Sequence, residues 1–419
     1  MAKIYSTSTF HAVAVSTFDH IISACLNKGS ANDSGCYQRK YVPISEKKTN
    51  IYSNEIIGLY STQEAFACLT KAKDVLTWGC DEFGGGSRLY GDNPTSVKDS
   101  LKNIEKIYSN TQAFAAINNE GRVITWGCDQ SGGYSMNVNE SLIDVKEIYN
   151  TSSAFTALTK EGVVITWGEE NYGGNSNIVK QSLIGISEIC STRRAFAGLT
   201  KDGRVITWGY NYYGGDSSAV QDKLNKIIKI YSTSTAFAAI NNEGAVITWG
   251  EAVSGGDSSA VQHKLKKITK IYSTNNTFAA IDENHDVIIW GFDQGVKQLK
   301  NIKKIYTSNT AFVAINEAGD VITWGYYLQA VIDEKLKNKN INNIYSTQCG
   351  FAALTNEGDV ITWGSYNSFA TIDLNGTIAY IDLSKLQINL KNIIKIYSIP
   401  NGFAAITIDG TMILWSEFV

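Results

Sequence analysis

The chain is poor in the residues that carry most metal and acid–base chemistry. Its 419 residues hold four histidines, His11, His20, His263 and His285. No HxxH, HExxH or CxxC pattern accompanies them, so neither a structural zinc site nor a zincin active site has support, and no metal is expected. Charge is scarce too. Charged residues make up 18% of the chain, against about 25% in average soluble domains. The 37 Lys+Arg and 40 Asp+Glu leave a net charge of −3, which excludes general attraction to nucleic acid or anionic lipid. Apolar runs are short and strand-like, and MAKIYSTSTFHAVAV lacks the charged-then-apolar layout of a Sec signal, so neither a membrane span nor such a signal is expected. The seven cysteines (25, 36, 68, 80, 128, 190 and 349) are odd in number and irregularly spaced. Free thiols in a reducing, cytoplasm-like compartment are the expectation.

What is present points to order. Hydrophobic residues at 43% and 36 glycines imply a large strand-rich interior and exclude intrinsic disorder. One pattern, approximately KIYSTxxAFAAIxxxGxVITWGxxxxGG, fills nearly the whole chain. Its tyrosine recurs at 5, 60, 108, 149, 231, 272, 306, 345 and 397, with Cys190 in that place once, which gives ten units. All nine tryptophans (78, 126, 167, 208, 249, 290, 324, 363 and 415) occupy one repeated position, spaced by 48, 41, 41, 41, 41, 34, 39 and 52 residues. Unit 1 has Ala24 near that position. Such a chain reads as a single domain over residues 1–419, not a row of globules.

Within a unit, Ala236-Phe237-Ala238-Ala239-Ile240 and Val246-Ile247-Thr248-Trp249 alternate as strands. They are joined by turn residues of the Asn-Glu-Gly or Asp-Gly kind. A third strand is expected at the IIKIYST step and a weaker fourth around the Ala-Val-Gln-x-Lys-Leu stretch. A meander of this size cannot bury both faces alone, whereas aromatics at fixed phase stack each sheet on the next. The paired glycines 84–85, 132–133, 173–174, 214–215 and 255–256 read as structural turns. They lack the lysine or helix of a phosphate-binding loop.

The phase of AFAAI, then GxVITWG, then a glycine turn resembles the repeat of the regulator-of-chromosome-condensation-1 (RCC1) family, over residues 5 to 415. The resemblance implies an all-β fold, a β-propeller of RCC1-like repeats, for which family members use seven blades of four strands. Several members are guanine-nucleotide exchange factors for Ran-type GTPases, others are scaffolds, and intracellular bacteria deliver such proteins into host cells. The present units are shorter, their glycine turn is reduced to Gly-Gly and is lost after Gly256, and ten units imply seven blades or more. Closure is expected to use both termini, with the strand at Lys3-Ile4-Tyr5 completing the last unit. No strongly basic N-terminal tail supports a chromatin role.

Function is expected where the frame varies. The segments after each Trp-Gly should project from one face as a rim containing Asp81, Glu82, Phe83, Asp129, Glu169, Glu170, Tyr172, Tyr210, Tyr212, Tyr213, Glu251, Phe292, Tyr326 and Tyr327. Acids supply steering and aromatics supply anchors for a basic partner surface. The plain alternative is that these aromatics cover sheet edges and the acids solvate the rim. Two irregular segments compete: an insertion at 26–58 with the basic cluster Arg39, Lys40, Lys47 and Lys48, and the stretch 365–392, whose alternation reads as an extra hairpin. No unique nucleophile or triad order stands out, so neither a catalytic residue nor a cofactor is expected. The favoured reading is a monomeric protein-interaction propeller that binds a small GTPase of the Ran/Rab type and promotes nucleotide exchange. The alternatives are a non-catalytic scaffold or bacterial effector, delivered by a non-Sec route, and a glycan-binding propeller.

Overall fold

The computed structural model describes residues 3–6, 12–16, 21–25, 56–85, 100–292, 299–325, 336, 339–347, 350–364, 368–372, 378–382, 393–399, 402–407 and 412–416. These residues form ten antiparallel sheets, one for each sequence unit. Unit 6 shows the pattern: an inner strand Ile227–Ser232, a middle strand Ala236–Asn241 and an outer strand Val246–Gly250. Phe237 pairs with Trp249 and Tyr231 with Ala238. A one-residue register shift between Ile227 and Lys229 marks the inner strand, and the same shift recurs in the other units from the second to the tenth.

The hydrophobic core lies between units. One cluster joins Ala236, Ala238, Ile240 and Val246 of unit 6 to Ile268, Ile271, Phe278, Ala280 and Trp290 of unit 7, with Tyr231 packed against it. Middle strands are therefore buried on both faces, which explains a run such as Ala-Phe-Ala-Ala in place of strict alternation. The alanines let neighbouring sheets approach, and the phenylalanine fills the space.

Each Gly-Gly is the joint between one unit and the next. Gly214 sits at φ +88°, and a Cβ there would lie 2.6 Å from the ring of Phe237. That ring stacks on Trp249 with centroids 5.2 Å apart, and the Trp249 indole N–H donates to the Gly214 carbonyl at 3.1 Å. A side chain on Gly215 would meet the Gly209 carbonyl at 2.3 Å. Trp126, Trp167 and Trp290 make the same bond to Gly84, Gly132 and Gly255. Trp324 and Trp363, in units that follow the loss of the glycine pair, find no partner for the indole N–H among the described residues. Trp208 also lacks one, and nothing in the structure explains it.

The fourth strand expected near Ala-Val-Gln-x-Lys-Leu is instead a 3-10 helix, Ser218–Lys223. Asp216 accepts a hydrogen bond from the Ser218 amide at 2.9 Å, a local bond that competes with a sheet ladder. Gln221 then caps the outer strand of unit 5 by donating to the Val205 carbonyl at 3.1 Å. The expected use of Lys3-Ile4-Tyr5 to complete the last sheet is also corrected. Strand Lys3–Ser6 pairs within its own unit, Tyr5 with Ala14, because unit 1 supplies two further strands, Ala12–Ser16 and Ile21–Cys25. Ala24 does stand in the tryptophan register, opposite Val13.

The last sheet is enlarged from within. Strands Ser368–Ile372 and Ile378–Asp382 form a hairpin that pairs with Met412–Ser416, making five strands. The hairpin follows unit 9 in sequence but belongs to the sheet of unit 10, where it pairs with the outer edge of Met412–Ser416. Ile56–Gly58 begin the inner strand of unit 2, while 26–55, including the basic cluster, lie outside the described residues. Inner strands of successive units are neighbours throughout, and the inner strand of unit 1 lies beside those of units 2 and 10.

Two predictions follow from this packing. Gly214→Ala combines left-handed backbone with a ring clash and should cost about 3 kcal/mol, whereas Gly185→Ala, at φ +69° with nothing within 4 Å, should cost about 1 kcal/mol. Thermal denaturation of the two variants checks the difference. Burial pushes the Cys68 thiol up to about 12, so in the native protein a thiol reagent at about pH 8 should modify the half-buried Cys128 and spare Cys68 until the chain is unfolded. Peptide mapping by mass spectrometry reads the outcome.

Candidate functional site

Antiparallel pairing brings two loops of each of units 2 to 6 to the same face. The turn after the inner strand leads into the middle strand, whose first residue pairs with the glycine that ends the outer strand, as Ala236 does with Gly250. The residue after that glycine then closes onto the turn. Glu251 N–H donates to the Thr235 carbonyl at 3.1 Å, Tyr210 to Arg194 at 2.9 Å, and Cys128 to Gln112 at 3.0 Å. The post-Trp-Gly segments continue as 3-10 turns at Asp81–Phe83, Asp129–Ser131, Glu170–Tyr172, Asn211–Tyr213 and Ala252–Ser254, each ending in a left-handed glycine.

Threonine hydroxyls tie the two tiers together. Thr62 donates to the Phe83 carbonyl at 3.0 Å, Thr151 to Tyr172 at 2.8 Å, Thr192 to Tyr213 at 3.0 Å and Thr233 to Ser254 at 3.1 Å. In unit 3 the Asn110 amide takes this role toward Ser131 at 2.6 Å. The repeated Ser-Thr of the sequence is therefore structural, as its recurrence implies. The inner tier is further stitched from unit to unit by backbone bonds, one per step: Gln63 to Thr111, Thr111 to Ser152, Ser152 to Arg193, Arg193 to Ser234, Ser234 to Asn275 and Asn275 to Asn309, at 2.7–3.2 Å.

The outer tier carries the rim residues. Asp81, Glu82 and Glu170 are exposed, and Glu169 is half-buried. Phe83 is half-buried and packs against the core between units 2 and 3. Asp129 is half-buried with one carboxylate oxygen enclosed and unpartnered among the described residues, and burial raises its pKa. Phe292 is exposed. Tyr326 and Tyr327 lie outside the described residues.

Units 4 to 6 concentrate the rest into one patch. The Arg194 guanidinium lies 4.5 Å from the ring centre of Tyr172, 5.3 Å from Tyr213 and 5.9 Å from Tyr210. Tyr213 also contacts Tyr210 and Tyr212, with ring centres 5.8 Å and 5.9 Å away. Tyr212 hands its hydroxyl proton toward Glu251 at 2.6 Å. Glu251 accepts two further bonds, from Thr235 at 2.6 Å and Ser254 at 2.7 Å. Those bonds, from Thr235, then Tyr212, then Ser254, favour the carboxylate and lower its pKa. Tyr210 and Tyr212 nevertheless remain 44% and 57% exposed, so the patch is pre-ordered and still offers aromatic surface.

Arg194 is the residue that the sequence reading missed. Its signal was a departure from the repeat in the turn before the middle strand, where Arg193-Arg194 stands in place of the Ser, Thr or Asn pairs of units 4, 6, 7 and 8, and not in the segment after Trp-Gly. The inner tier was missed as a surface. Seven of its turns line a cavity of 530 Å³ with hydroxyls and amides, and Arg193 is the charged residue among its described lining. Among the described residues, no group of three or more His, Cys, Asp or Glu is placed to hold a metal, and no helix is long and apolar enough to cross a membrane.

No family model matches the chain, and no curated protein matches it. Among solved structures it resembles the CRINKLY WD40 ectodomain of the receptor kinase ACR4 from Arabidopsis thaliana, with 14% identity over 62% of this chain and 97% of that one and a TM-score of 0.36. It resembles Prp20p from Saccharomyces cerevisiae, a protein described with its binding properties to Gsp1p and histones, with 14% identity over 87% and 94% and a TM-score of 0.35. It also resembles human WBSCR16, with 14% identity over 99% and 87% and a TM-score of 0.33. At these scores no activity passes from those proteins to this chain, and the all-β, multi-sheet repeat architecture of propeller type rests on the ten sheets themselves.

The lowered pKa of Glu251 has a definite sign in stability. Its folded value lies below the unfolded one of about 4.3, so its contribution is fully present above that pH and is lost as pH falls through the folded value. Glu251→Gln should therefore lose less melting temperature than the wild type between about pH 5 and about pH 3, as followed by circular dichroism.

Proposed function

We propose that the chain is a protein-docking propeller whose post-Trp-Gly face receives a basic surface of a partner protein, with a small GTPase of the Ran/Rab type as the partner class. The observation that carries this reading is the Tyr172, Tyr210, Tyr212, Tyr213 patch organised by Arg194 and Glu251. Rigid, amphipathic aromatics held in place before binding lose little conformational freedom on docking, and tyrosine and arginine are the residues that dominate interface energetics. The surrounding Glu169, Glu170, Asp129, Asp81 and Glu82 supply a field that steers a basic surface.

The partner class comes from the sequence resemblance to RCC1 repeats, of which this chain is read as a diverged short-repeat member. Exchange would act by stabilising the nucleotide-free GTPase and needs no cofactor. The array is read as one ten-unit ring over residues 1–419; the adjacency of the inner strands of units 1 and 10 supports closure without exchange of a strand between the terminal sheets. A reducing compartment, and delivery into a host cell by a non-Sec route, complete the proposal, the first supported by the unpaired Cys68, Cys80, Cys128 and Cys190.

The decisive experiment measures release of a fluorescent GDP analogue from Ran, Rab, Rho and Arf-type GTPases, with pull-down of each nucleotide state from the same samples. Faster release and tight binding to the nucleotide-free form are expected for one class, with Tyr212→Ala and Arg194→Ala each weakening binding by about tenfold or more. Binding without acceleration would leave a docking scaffold and remove exchange. Neither signal from any class would overturn the GTPase assignment.

A further inference from the structure

The inner tier is distinct from the docking patch in shape and chemistry. Turns from seven units converge on the 530 Å³ cavity, and its described lining is serine, threonine, asparagine and Arg193. That volume is in the range of small-molecule sites, about 300–1,000 Å³, but such sites are mostly apolar. A wall that sets hydroxyls and amides among the methyl and methylene groups of the same side chains offers a purely apolar ligand little, since its polar groups would be desolvated without partners. It suits a ligand that is itself rich in hydroxyls.

Many wall hydroxyls are already committed to backbone. Ser191 donates to the Asn150 carbonyl at 2.8 Å, Ser232 to Ser191 at 2.7 Å and Thr111 to Ser152 at 2.5 Å. These bonds fix the wall. Ser152, Ser234, Asn275 and Asn309 also line the cavity, and their backbones form the unit-to-unit chain. They therefore present donors and acceptors from a rigid ring.

Arg193 adds charge selectivity. Of the four arginines among the described residues, Arg122 pairs with Glu120, Arg204 with Asp202, and Arg194 lies against three tyrosines. Arg193 is exposed, its backbone is held on both sides, and its guanidinium has no partner among the described residues. Two lysines extend the same sign. Lys270 and Lys304 precede the lining residues Ser273 and Thr307 by three positions, about 10 Å along a strand. They lie 4.5 Å and 4.4 Å from the ring centres of Tyr272 and Tyr306 and have no carboxylate within ion-pair distance among the described residues. The neighbouring Lys106 and Lys229, by contrast, are neutralised by Glu147 and Glu188.

We propose that this axial cup binds a small, hydroxyl-rich oxyanion, a phosphorylated sugar or polyol, with Arg193 holding the phosphate in a charge-assisted bidentate contact and the serine and asparagine ring holding the hydroxyls. No bond is made or broken; the site is one of recognition.

Calorimetric titration of the full chain at low ionic strength with glucose 6-phosphate, inorganic phosphate and glucose tests this. The sugar phosphate should bind more tightly than either other probe, and Arg193→Ala should weaken it by about tenfold or more, the loss of one charged contact. Arg194→Ala, outside the cup, should leave it unchanged. Only the side chain of Arg193 is removed and its backbone bonds remain, so circular dichroism of that variant should match the parent. Absence of heat with both phosphates overturns the proposal. Equal affinity for glucose and glucose 6-phosphate, equal affinity for phosphate and glucose 6-phosphate, or equal binding by Arg193→Ala and its parent each overturn it as well.

Discussion

The stacked phenylalanine and tryptophan of one unit, roofed by the glycine pair of the preceding unit, are the joint on which the array depends. Phe237 and Trp249 face one another across adjacent strands, and Gly214 lies on the Phe237 ring, where no larger residue fits. The Trp249 indole then closes the joint with a hydrogen bond to that glycine. Because this contact runs between units, a single meander has no complete core. Each sheet becomes stable by lending one face to its predecessor and the other to its successor, which is the nearest-neighbour logic of repeat proteins.

The same joint sets the functional face. In units 2 to 6 the glycine that ends the outer strand leads the chain into a 3-10 turn, and the turn carries whatever side chains the frame does not need. Five such turns are equivalent in backbone and different in sequence. The face is thus a constant scaffold with variable display, and units 4 to 6 concentrate tyrosines on it. Arg194 gathers three of those rings because guanidinium and aromatic face attract one another at short range, while Glu251 holds Tyr212 by its hydroxyl. Beside it, the bond chain from Gln63 to Asn309 fixes a second tier of side chains whose chemistry is polar and, at Arg193, cationic. The aromatic patch suits a macromolecular surface, whereas the cup has the volume of a small-molecule site.

Much of the fold was legible in the residues. Nine tryptophans in one register, the Asn-Glu-Gly turns and the alternating runs located three strands per unit, and Ala24 marked the place where unit 1 departs. The fourth strand was misread because Ala-Val-Gln-x-Lys-Leu has an apolar pattern compatible with either state, and the local Asp216–Ser218 bond that decides it is a matter of backbone geometry. That the segments after Trp-Gly in units 2 to 6 share one face was legible, since loops after equivalent strands lie at the same end of their sheets. The rim's division into a patch and outliers was not, because Asp81 and Tyr212 hold the same kind of position and only their neighbours differ.

The sequence by itself determined the unit, its count and its strand order, for a physical reason: short apolar runs, turn chemistry and the demand for glycine at a positive φ are local and repeat with the chain. Tertiary structure decided the rest. The extra hairpin joins unit 10 although it follows unit 9, because what it satisfies is an exposed strand edge in space. Arg193 and Arg194 are adjacent in the chain, yet one lines the axial cup and the other lies among tyrosines. That separation arises because successive residues of a turn point to different sides of it, toward surfaces that only the assembled units create.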